Sequence, residues 1–166
     1  MASDQVAHPN REKVASKATR GAIVLLLAIT AALVAFITIG GWSVLQGARI
    51  VSLGYVVLCV VMAFYVARWN RGVLPVMAAF AILFAVMAGV AGPAWFARDQ
   101  AGFDSPAVDA GLLGLSTFVL IAAQVLLLLF AVRGFAQKWN VEVEPRRGRP
   151  AGLDGGGSGD PQPPGI

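Results

Sequence analysis

Few side chains in this 166-residue chain are of types that do chemistry, and their spacing argues against it. Asp99, Asp104 and Asp109 recur every five residues in one loop. On a helix, five residues turn about 140° past a full turn, so the three carboxyls would not share a face for a metal or for acid–base work. Their ordinary reading is a solvated loop. Cys59 is the one cysteine and lies inside an apolar run, where a thiol acts as a small hydrophobe. A single cysteine excludes both a disulfide framework and a multi-cysteine metal site. His8, the one histidine, stands in a polar tail. The run Gly155-Gly156-Gly157-Ser158-Gly159 lacks the lysine and following helix of a phosphate loop. We therefore expect no catalytic residue, no metal ligand and no cofactor, and read the chain as a non-enzyme.

The polar residues that stand out are those lipid would have to accommodate. Gln124 sits in the middle of a long apolar stretch, with two amide donors and a carbonyl that hydrocarbon cannot satisfy. At similar depth the other apolar stretches offer Thr30, Cys59, and only apolar side chains near Phe80. Thr30 is the best side-chain partner within the chain. A backbone carbonyl and a residue of a partner chain are the rivals. No Asp, Glu, Lys, Arg or His lies inside any of the apolar stretches, although proton relays and ion paths are usually marked by such residues. The layout superficially resembles small multidrug exporters, but the membrane-embedded carboxylate they need is missing. It also resembles claudins superficially, without their cysteine pair or long first external loop.

The elements holding these residues follow from composition. Of the residues, 57% are hydrophobic and 13% charged, against roughly 25% charged in soluble domains. Mean hydropathy is +0.72. Four uncharged apolar stretches cover 21–39, 50–67, 73–92 and 112–132. At 1.5 Å per residue each reaches about 27–32 Å, the thickness of a hydrocarbon core. Backbone groups in lipid must satisfy one another, and barrel strands would alternate in polarity, which these stretches do not. The expected fold is all-α: a four-helix transmembrane bundle running up-down-up-down. Gly92-Pro93 should end or kink the third helix. Residues 1–20 form a basic N-terminal tail. Residues 21–139 form the membrane domain. Residues 140–166 form a Gly/Pro-rich tail that cannot bury enough to offset its ordering entropy, and it should be disordered.

Orientation follows from the basic residues. Arg11, Lys13, Lys17, Arg20, Arg68, Arg71, Arg133, Lys138, Arg146, Arg147 and Arg149 fall on one side, and only Arg49 and Arg98 on the other. The positive-inside rule puts both termini in the cytoplasm. Net charge is +4, but the charges follow topology, so nucleic acid is not an expected partner. Trp42, Trp69, Trp95 and Trp139 each follow one span and are expected as interfacial anchors at the headgroup boundaries. Arginine outnumbers lysine ten to three beside abundant Ala, Gly and Val, a bias that points to a bacterial inner membrane. Ala78, Ala81, Ala85, Gly89 and Gly92 form a small-residue row on the third span, the pattern for close helix packing.

The partners implied are the lipid bilayer and either another membrane protein or further copies of the chain. Compact spans without chemistry suggest a non-enzymatic accessory or scaffold subunit of a larger assembly. A small homo-oligomeric channel or facilitator, lined by Ser116, Thr117, Gln124 and Thr30, is the alternative. A membrane-embedded enzyme relying on the 93–111 loop ranks third. The orientation predicts that alkaline-phosphatase-type fusions after Gln46 and Gln100 are active and those after Asn70 and Asn140 inactive. The reverse pattern contradicts it.

Overall fold

A computed structural model describes residues 9–98 and 106–139. The expected C-terminal tail, His8, Asp99 and Asp104 lie outside the described residues. Of those described, 82% are helical and none is in a strand. The helices are α1 (Pro9–Glu12), α2 (Val14–Gly40), α3 (Ala48–Ala67), α4 (Val73–Phe96) and α5 (Ala110–Ala136). The last four are long and apolar enough to cross a membrane.

Each helix outruns its apolar stretch. Helix α2 begins at Val14, so part of the expected tail is helical. Helical backbone needs only good helix formers, whereas hydropathy marks the part that lipid would surround. Helix α4 runs through Pro93 to Phe96 instead of ending at Gly92. The residue before a proline is kept out of the α conformation by a clash between its Cβ and the ring. Gly92 has no Cβ, and only one further turn follows.

Helix α2 packs against α3 and α5, and α5 against α4. The seam between α3 and α4 is sparse, although only residues 68–72 connect them. Its main bridge is Tyr55 stacked on Phe84, with centroids 3.3 Å apart and planes within 8°. Small residues carry the tight seams. A Cβ on Gly41 would meet the Trp95 ring at 2.4 Å, one on Gly114 the Phe96 ring at 2.7 Å, and one on Gly134 the Trp139 ring at 3.1 Å. Lipid is as apolar as leucine, so close van der Waals contact of this kind is what draws such helices together.

The small-residue row expected on α4 needs correction. Its buried positions are Leu74, Met77, Ala81, Ala88, Gly92 and Trp95. Ala78 and Ala85 are half-buried, and Gly89 is exposed with nothing within 4 Å of a Cβ. At 100° per residue, Ala88 lies about 20° from Ala81, and Gly89 about 80° away. Side-chain size alone suggests Gly89 for the packed face, but the helical period assigns that face to Ala88.

The tryptophans also differ from the expectation of four interfacial anchors. They stand at helix ends, but Trp95 and Trp139 are buried inside the protein, Trp69 is half-buried and Trp42 is exposed. Trp69 and Trp139 meet edge to face, centroids 5.4 Å apart. Two non-glycine residues adopt left-handed backbone there, Trp69 (φ 62°) and Lys138 (φ 48°). At the end of α3 the Asn70 N–H donates to the Tyr65 carbonyl, the long bond of a Schellman cap. Such conformations cost a non-glycine residue roughly 1–2 kcal/mol each. Here they turn both indoles into one contact, covered by the Arg20 guanidinium 4.4 Å from the Trp69 ring.

These packing distances predict that Gly134→Leu lowers stability by about 1–3 kcal/mol through overpacking. Gly89→Leu should leave it unchanged or raise it. Melting of both variants in detergent decides the matter, and equal losses would contradict the assignment of faces.

Candidate functional site

Three interior polar groups, Thr30, Gln124 and Tyr55, meet midway along the helices. Gln124 is 1% exposed and Thr30 is 0% exposed. The Gln124 Nε2 donates to Thr30 Oγ1 at 3.2 Å. Its Oε1 accepts from the Tyr55 hydroxyl at 2.8 Å. One amide thus ties α5 to α2 and α3, and the Phe84 ring on Tyr55 extends the contact to α4. Cys59, one turn along α3, adjoins the Tyr55 hydroxyl. Each group finds its partner inside the chain, the condition under which polar side chains are tolerated in hydrocarbon.

Sequence reasoning singled out Gln124 and Thr30, which the structure brings together, but missed Tyr55. The missed signal was a tyrosine inside an apolar run, because a buried phenol needs an acceptor. The other lining candidates face elsewhere. Thr117 is buried and donates to the Leu113 carbonyl at 2.8 Å, and Ser116 donates to the Leu112 carbonyl at 2.8 Å. Asp109, one of the three loop acids, acts locally. It caps α5 by accepting from the Leu112 N–H at 2.9 Å.

Beyond the Tyr55–Phe84 stack, α3 and α4 part around a cavity of about 130 Å³. Val34 and Thr38 of α2, Ser52 of α3, Ala88 and Trp95 of α4, and Leu120 of α5 line it. The Thr38 hydroxyl donates to the Val34 carbonyl at 2.6 Å, so the lining is largely apolar.

The opposite end is closed by a polar clasp. Asn10 donates to the Lys138 carbonyl at 3.1 Å, and Arg11 Nε to the Trp139 carbonyl at 3.1 Å. Gln137 Nε2 donates to Thr19 Oγ1 at 3.0 Å, while its Oε1 accepts from Trp139 Nε1 at 2.9 Å. The arrangement fastens the chain preceding α2 to the residues following α5.

Comparison of the chain with family models, with curated proteins and with solved structures finds no match.

The Thr30–Gln124–Tyr55 chain predicts measurable coupling. A double-mutant cycle of Gln124→Leu with Tyr55→Phe should give about 0.6 kcal/mol, the average for membrane interhelical hydrogen bonds. Additive effects would mean that the bond is absent.

Proposed function

We propose that this is a non-enzymatic multi-pass protein of a bacterial inner membrane, an accessory or scaffold subunit of a larger membrane assembly. The observation that carries this reading is where the polar groups go. Thr30, Gln124 and Thr117 are buried within one chain, where they cannot line a pore between copies. The outward faces of α2, α3, α4 and α5 are left to residues such as Leu25, Val57, Val86 and Leu126. Such faces suit lipid or the helix of another membrane protein. They offer a water-soluble substrate nothing.

In this reading the spans alternate in direction and both termini are cytoplasmic. Contacts between helix starts and helix ends support the alternation. Arg20, early in α2, donates to the Ala67 carbonyl at the end of α3 at 3.1 Å. The Val108 N–H, just before α5, donates to the Gly40 carbonyl at the end of α2 at 3.3 Å. Phe96, at the end of α4, covers Gly114 near the start of α5. The clustering of Arg11, Arg20, Arg68, Arg71, Arg133 and Lys138 near one end supports the cytoplasmic assignment of that end.

Extraction of the full chain at native level in mild detergent tests the accessory role. We expect a particle larger than the monomer with a stoichiometric membrane partner, whose removal lowers the amount of this chain. Recovery as a lone monomer contradicts the role. A particle of this chain alone that passes solute in liposomes would favour the channel.

A further inference from the structure

The cavity between α3 and α4 suits hydrocarbon. Thr38 and Thr117 already donate their protons to backbone carbonyls, so neither offers a donor to a polar guest. Among the lining residues of the cavity, Ala48 of α3 and Met87 and Ala91 of α4 are exposed. It therefore opens sideways between two helices of membrane-crossing length, and a molecule dissolved in the bilayer reaches it directly. The volume of about 130 Å³ approaches the roughly 150 Å³ of an apolar cavity that stays dry and takes benzene. It can hold a chain segment of about six carbons.

Charge next in the chain to Ala48, at the edge of the lining, narrows the choice of guest. Arg49 follows Ala48 in the first turn of α3, where a cation opposes the helix dipole. Its Nη2 reaches the Ser43 carbonyl only at 3.4 Å, and its guanidinium lies 5.0 Å from the Trp42 ring centroid. Its Nε is buried without a hydrogen-bond partner. A phosphate beside Arg49 would accept from the exposed end of its guanidinium and offset its charge at the helix start. We propose that the cleft between α3 and α4 holds one anionic phospholipid, with a stretch of acyl chain in the cavity and its phosphate against Arg49. The proposal goes beyond the accessory role and needs only that the helices cross a bilayer.

Native mass spectrometry of the full chain, equilibrated with equal phosphatidylglycerol and phosphatidylcholine, tests it. The variants are Ala91→Phe, which fills the mouth from an exposed position, Arg49→Gln, and Val60→Phe on the outer face of α3 as a control. Melting in detergent confirms that each folds. Wild type and Val60→Phe should keep one phosphatidylglycerol, and Ala91→Phe should lose it. Arg49→Gln should cut the preference for phosphatidylglycerol about five-fold, as expected for one arginine near an anionic headgroup. The proposal is overturned if wild type retains no lipid, if Ala91→Phe retains it like wild type, if Arg49→Gln keeps the preference, or if a protein chain occupies the seam instead.

Discussion

A backbone amide in hydrocarbon has no water to turn to, and the rest of this structure follows from that constraint. It makes every apolar stretch a helix. It also removes the usual force for packing helices together, because a leucine gains nothing by leaving lipid for protein. What remains is close contact and polar pairing. Gly41, Gly114 and Gly134 provide the first by admitting the rings of Trp95, Phe96 and Trp139. Gln124 provides the second, with Thr30 on one side and Tyr55 on the other. A glutamine costs more in lipid than in water if left alone, so its pairing fixes the register of three helices at once.

The two halves of the bundle are built differently. At the basic end, strained turns at Trp69 and Lys138 bring two indoles together, and side chains from residues 10 and 11 bind the carbonyls of residues 138 and 139. Strain persists where the surroundings over-determine it, and here the hydrogen bonds of Gln137 and the stacking of Arg20 on Trp69 do so. Past the Tyr55–Phe84 stack the α3–α4 seam opens around a cavity, whose floor is formed by the core residues Val34, Ala88 and Leu120. Closely packed interiors lose contacts wherever a void remains, so a guest in the opening restores contacts to its lining.

Much of this was legible in the residues, for reasons that also explain the omissions. The four spans could be read because lipid imposes a length and a polarity on them. The helix ends could not, since Val14 to Arg20 continue α2 with polar side chains that hydropathy ignores. Thr30 was reachable as a partner of Gln124 by matching depth along the two helices. Tyr55 lies a turn away from Cys59, so depth matching passes over it even though its hydroxyl needs an acceptor more than a thiol does. Gly89 falls on the wrong face because side-chain size does not reveal which way a helix is rotated. Trp95 and Trp139 turn inward instead of toward headgroups because position along the chain gives depth but not direction. The cavity left no trace in the sequence, as it depends on how two helices diverge.

The account rests on the outward faces of four helices meeting lipid. Spin labels on single cysteines in a Cys59→Ala background test this directly. Leu25, Val57, Val86 and Leu126 place one label on each of α2, α3, α4 and α5, at positions 62%, 62%, 62% and 45% exposed. In nanodiscs, all four labels should collide readily with oxygen and poorly with a water-soluble nickel chelate. Nickel accessibility at any of them equal to that of a label at the exposed Lys17 would contradict the account.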